Sequence, residues 1–187
     1  MPLALGGRNA IAYGGIPARA SDGTASSGWL LDSCGAPRFR APEAAARSTF
    51  PLVGFDDNLI AYAPTASQNT LWLSPAGVQV GKAGILIGTP RALGADGAVY
   101  TLACLADTGA ATLYAYGANL TSAWSLDLGA PCSTGAVVLA DDGTLYAARR
   151  RGGGVEVIAV QTASPGLADT AWPAEHHDNR RTGWLSP

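Results

Sequence analysis

The chain has 187 residues, enough for one sizeable domain, with 14% charged residues against a usual share of about 25%, and with 24 Gly and 12 Pro. A formal charge of -2 gives no electrostatic footprint for nucleic acid, and the Arg149-Arg150-Arg151 run is too short to reverse that. No stretch reaches the ~18 consecutive apolar residues of a membrane span, and the opening MPLALGGRN lacks the basic and long apolar regions of a secretory signal, which fits a cytoplasmic chain or one cut from a longer secreted precursor.

Taken in order, PLALGGRNAIAY from Pro2 is predicted to form two strands and a turn, followed by a third strand in GWLLD and a fourth near Arg38 to Ala41. The same succession returns as PLVGFDDNLIAY from Pro51, TLWLS, and a strand at Val78 to Gly81. It returns again as PRALGADGAVYTL from Pro90, TLYAY, and Ala123 to Leu128. A last round runs through GAVVLADDGTLYAA from Gly135, VEVIAV, and Ala171 to Pro173.

The turn positions Asn9, Asn58, Gly97 and Gly143 are 49, 39 and 46 residues apart. The third-strand positions Leu30, Trp72, Tyr114 and Ile158 are 42, 42 and 44 apart. Two elements keeping a period in the forties predict a four-stranded unit repeated four times. Residue types agree with this. Asp96-Gly97 and Asp142-Gly143 suit tight hairpins, because Gly takes positive φ without penalty and Asp caps the turn with its side chain. Val99, Tyr100, Leu145 and Tyr146 are strand formers.

The predicted fold is therefore all-β: a β-propeller of four four-stranded antiparallel blades at about 2–48, 49–88, 89–130 and 131–173, with a closing tail 174–187, in a single domain. Such a chain forms either a closed four-bladed ring or part of a larger propeller completed by a second copy or by further blades. An open ring leaves a blade face exposed, and that face would drive association into a homodimer.

The segment TLYAYGANLTSAWSLDLG, Thr112 to Gly129, resembles the PQQ-like (quinoprotein-type) propeller blade, with Leu113, Tyr114, Ala115 and Trp124 at matching positions. The end of the chain is similar to the close of bacterial surface or secreted propellers of that family, through Trp172, Pro173, His177, Asp178, Arg181, Thr182 and Gly183. Where such blades carry Thr-Gly-Lys ahead of the Trp, this chain has Leu120-Thr121-Ser122-Ala123. The resemblance implies a periplasmic, cell-surface or secreted location. It also raises pyrroloquinoline quinone and calcium as cofactors, but none of the family's cofactor-site residues finds a match here, and fold does not imply chemistry. The structural repeat positions are Asn58, Gly97, Gly143, Tyr114, Trp124, Trp172 and Asp178.

Candidate chemistry is sparse. Asp56, Asp57, Asp96, Asp141 and Asp142 fall at equivalent turns on one rim, where carboxylates either ring a cation or simply cap their turns; capping is the simpler reading. Asp96, Asp142 and His177 are the weak metal candidates. Adjacent His176 and His177 point to opposite faces of an extended chain and seldom converge on one ion, so a tail fastened by Asp178 with Arg180 or Arg181 is preferred. Gly152-Gly153-Gly154 lacks the Lys-Ser/Thr of a phosphate loop and reads as a hairpin tip. There is no G-x-S-x-G and no H-E-x-x-H. Trp29, Trp72, Trp124, Trp172 and Trp184 offer either a carbohydrate-stacking platform or packing between blades; at least three fall on repeat positions, which favours packing, and Trp184 lies outside the repeat. Cys104 and Cys132 pair if their blades bring them together, leaving Cys34 free; three unpaired thiols is the other reading. The function expected is a non-enzymatic binding or scaffold propeller presenting loops to a protein or surface polymer. The alternative is a fragment or relative of a quinone- and calcium-dependent dehydrogenase.

Overall fold

Short runs of β-branched, aromatic and leucine residues, each closed by a turn, fold into strands that pair only with their neighbours in sequence. The computed structural model describes residues 3–5, 11–13, 29–31, 37–40, 52–63, 69–76, 78–80, 85–104, 107–132, 136–151, 153–170 and 173–174. The first sheet comprises β1 (Leu3–Leu5), β2 (Ile11–Tyr13), β3 (Trp29–Leu31) and β4 (Pro37–Arg40). The second comprises β5 (Leu52–Val53), β6 (Leu59–Ala63), β7 (Asn69–Leu73) and β8 (Ile85–Ile87). The third holds β9 (Thr89–Leu93), β10 (Val99–Cys104), β11 (Ala111–Tyr116) and β12 (Ser122–Gly129). The fourth holds β13 (Val137–Leu139), β14 (Thr144–Arg151) and β15 (Gly154–Gln161). All four sheets are antiparallel, and the only helical element among the described residues is a single turn at Phe55–Asp57. No helix among them is long and apolar enough to cross a membrane.

Two expectations need correction. The strand placed at Val78 to Gly81 shrinks to a bridge between Leu73 and Gln79 and a bond from the Val80 amide to the Trp72 carbonyl; pairing with β7 resumes at Ile85–Ile87. Gly81 lies outside the described residues. Of the four strands expected in the fourth sheet, three lie among the described residues. Pro173, the described residue of the strand expected near Ala171 to Pro173, does not pair with β15. Pro173 accepts the Leu93 amide at 2.7 Å and Ala174 bridges Ala92, so this segment docks on the third sheet, while Ala171 and Trp172 lie outside the described residues.

The first strands of successive sheets lie side by side, β1 by β5, β5 by β9 and β9 by β13. The sheets stack face to face behind them. Leu52, Ile60 and Trp72 of the second sheet pack against Leu93, Val99, Tyr116 and Leu120 of the third. On its other face the third sheet sets Tyr100, Leu102, Leu113 and Ala115 against Val137, Leu139, Leu145 and Ala147 of the fourth. Leu93, Leu113, Leu139 and Leu145 are wholly buried, each stabilising the stack by about 1.5–3 kcal/mol. From the end of β15 the chain turns back across the inner strands: the Ala95 amide donates to Gly166, Ala168 donates to Leu93, and the Thr170 hydroxyl donates to Val53 at 2.8 Å. This strap supplies hydrogen-bond partners to the otherwise open edge of β9.

Candidate functional site

Three turns share one set of hydrogen bonds. In Gly94–Ala98 the Gly94 amide donates to the Ala98 carbonyl, the Gly97 amide to Gly94, and the Ala98 amide to Asp96 Oδ1 at 3.0 Å. Residues 140–144 repeat this, with the Thr144 amide on Asp142 Oδ1 at 2.9 Å, and residues 117–121 do so with Asn119 in the capping place. The pattern closes a three-residue hairpin whose last loop residue must be left-handed. Gly97 (φ 82) and Gly143 (φ 80) satisfy that as expected.

In the turn at 117–121 the left-handed position falls to Leu120 (φ 62). Left-handed backbone costs a non-glycine residue roughly 1–2 kcal/mol. Leu120 is 8% exposed and packs with Leu52, Leu93 and Tyr116, and burial worth about 1.5–3 kcal/mol offsets the strain. Leu120 therefore serves the packing between the second and third sheets.

These turns gather on one rim. Leu59 pairs with both Val53 and Leu73, Val99 with both Leu93 and Tyr116, and Leu145 with both Leu139 and Val160, which puts the turn between the first and second strands of each of these sheets, and the β11–β12 turn of the third, at the same end. Neighbouring sheets meet there: a Cβ on Gly97 would stand 2.9 Å from that of Ala118 and 4.0 Å from the Phe55 ring. Phe55, Asp56, Asp96, Asn119, Asp141 and Asp142 are exposed on this rim. The Asn58 side chain donates to the Phe55 carbonyl at 2.8 Å and holds the turn in which Asp56 (φ 56) is left-handed.

As metal candidates, Asp96 and Asp142 each commit one carboxylate oxygen to a backbone amide, and the described residues hold no cluster of three or more metal-ligating side chains. The Thr144 amide and hydroxyl hold the Asp142 carboxyl below its ordinary pKa. Hydroxyls elsewhere serve the backbone: Thr70 donates to Gly88, Thr101 to Ile87, and Ser164 to Gly166. Burial raises the Tyr100 and Tyr116 phenols, and Tyr116 accepts the Ile87 amide at 2.9 Å. Tyr114 stacks beside Tyr116, and Trp124 lies 6.1 Å from Tyr100, which puts both repeat aromatics in the packing between sheets.

The opposite rim has different chemistry. Cys104, at the end of β10, is disulfide-bonded to Cys132, beyond β12, with Cα atoms 5.5 Å apart, which decides the pairing that the sequence left open. Arg149 bonds Glu156 at 2.6 Å across the β14–β15 hairpin and the Leu128 carbonyl at 2.7 Å, fastening the fourth sheet to the third. Arg151 adds a longer bond to Glu156, whose carboxyl is held below the usual range, chiefly by Arg149. The hairpin closes where Arg151 pairs with Gly154, and Gly153 (φ 86) takes the left-handed backbone of a tip. Cys34, Trp172, His176, His177, Asp178, Arg180, Arg181 and Trp184 lie outside the described residues, as do the side chains of Trp29, Asp57 and Arg150. The sequence reading did not foresee the strap or the buried Leu120, and the strap leaves no local signal. No family model matches the chain, and comparison with curated proteins finds no match.

Proposed function

We propose that this chain is a non-enzymatic binding or scaffold propeller, its sheets stacked as PQQ-like blades, presenting the turn rim to a protein or surface polymer. The observation that carries this is the rim itself. Its turns are internally hydrogen-bonded, so the backbone is fixed, while Phe55, Asp56, Asp96, Asn119, Asp141 and Asp142 face solvent. A rigid surface loses little conformational freedom on association, and its acidic character favours a partner with basic groups. The side-by-side order of β1, β5, β9 and β13 supports the propeller arrangement. The Cys104–Cys132 disulfide supports a periplasmic, cell-surface or secreted setting, since disulfides persist in oxidising compartments.

Two measurements test this reading. Titration with calcium and pyrroloquinoline quinone, followed by tryptophan fluorescence, is expected to give no saturable change; a saturable one would replace the scaffold with a cofactor-dependent enzyme. Immobilised chain is expected to bind basic surface polymers or proteins in a salt-sensitive manner, and to lose that binding when Asp96, Asp141 and Asp142 become Asn. Equal binding by the variant would remove the rim from the proposal.

A further inference from the structure

The fourth sheet has an apolar face on which nothing packs among the described residues. In the second sheet, Leu52, Ile60 and Trp72 form a ladder of directly opposed residues, and in the third Ala92, Tyr100, Ala115 and Trp124 form another. Each is covered by the sheet that follows. The corresponding ladder of the fourth sheet is Val138, Tyr146 and Ala159. Tyr146 stands two residues beyond Thr144, as Tyr100 does beyond Ala98 and Ile60 beyond Asn58. Ile60 is 0% and Tyr100 2% exposed, but Tyr146 is 40% exposed, and Val157 and Val155 farther along the same face are 64% and 72% exposed. Three apolar side chains in a row on one sheet face are an incomplete sheet-to-sheet interface, unlike the scattered apolar residues of an ordinary surface.

The covering ladders have a recognisable composition: Leu93, Val99 and Tyr116 cover the second sheet, and Leu139, Leu145 and Val160 cover the third. Register places Leu5, Ile11 and Leu31 opposite one another in the first sheet, and five residues separate Leu5 from Ile11 as they separate Leu93 from Val99 and Leu139 from Leu145. That sheet lies at the other end of the row, where β1 neighbours β5, and the face around Tyr146 stays exposed with the first sheet present. We propose that a second copy of this chain covers the open face, the first sheet of each copy seating on the fourth sheet of the other. Two such head-to-tail contacts close on themselves, so the assembly stops at two chains and eight sheets, within the roughly four to eight blades of known propellers. The inference rests on the stacked-blade reading above.

Light scattering on the purified chain tests it. The expected mass is twice the 18.9 kDa of one chain at micromolar concentration. Val155→Glu with Val157→Glu, at exposed positions the fold does not need, is expected to halve that mass, while Ser125→Glu on exposed β12 leaves it unchanged. Ile11→Glu, checked for wild-type circular dichroism, is expected to halve it as well. A monomeric wild type, or a dimer that survives the paired valine substitutions, overturns the proposal; a dimer that survives folded Ile11→Glu overturns the role of the first sheet. A monomer would leave the rim and calcium titrations unaffected, so the two readings fail separately.

Discussion

Tyr100 of the third sheet and Tyr146 of the fourth follow the same kind of turn by the same number of residues, and each sits mid-ladder with an alanine opposite it. Tyr100 is sealed between sheets beside Trp124, whereas Tyr146 faces outward with Val155 and Val157. Local sequence therefore sets which residue stands at a ladder position, and only the neighbouring sheet decides whether that position is core or surface. Among the described residues the third sheet is covered on both faces and the fourth on one.

The largest expected effect breaks this comparison directly. Tyr100→Ala removes a fully buried ring and is expected to lower unfolding free energy by about 3–5 kcal/mol in urea titration. Tyr146→Ala in a single chain is expected to cost less than ~1 kcal/mol, as exposed positions do. If a second copy covers Tyr146, its cost will instead appear as a melting temperature that depends on protein concentration. Equal costs for the two tyrosines would mean the fourth sheet is as covered as the third. Next comes the Cys104–Cys132 bond, which spans 28 residues and ties the third sheet to the segment entering the fourth. Replacing both cysteines by Ser is expected to destabilise the chain by about 3–4 kcal/mol, read as a drop in urea midpoint that reduction of the wild type reproduces. No shift on reduction would remove the staple from the account.

What the sequence disclosed about these sheets was what short-range chemistry decides. Asp96-Gly97 and Asp142-Gly143 announce their turns because a left-handed residue and a side-chain cap lie within five residues. The strand after β7 was misplaced because two segments suit a strand there, the alternating Val78-Gln79-Val80 and the wholly apolar Ile85-Leu86-Ile87, and β7 meets both in turn. Pro173 was misassigned for a different reason: it pairs with Leu93, a choice made by distant backbone. Of the candidate site, the rim aspartates could be read as turn caps. The strap and the buried Leu120 could not, and an exposed blade face could be expected of an open ring but not assigned to Tyr146, Val155 and Val157, since each depends on which sheet lies next.

Smaller effects sharpen the contrast within the fourth sheet. A Cβ on Gly143 would overlap the Ser164 carbonyl oxygen where the strap begins, whereas one on Gly153 meets nothing within 4 Å. Both glycines are left-handed, so Gly153→Ala is expected to cost about 1–2 kcal/mol from backbone alone and Gly143→Ala about 1 kcal/mol more. Equal losses would show that the strap yields freely.

The smallest expected effect is a pH dependence at Asp142. Its carboxyl is held below the ordinary value by the Thr144 amide, so the unfolded chain binds the proton more readily. The stability from this cap is complete above the unfolded pKa of about 3.9 and is lost as pH falls through the lower folded value. Asp142→Asn keeps an oxygen for the amide but no charge. Its melting temperature is expected to fall slightly below wild type at neutral pH, the two converging as the pH drops below about 4. A gap that stays constant down the acid range would mean that the carboxylate acts only as a neutral acceptor in this turn.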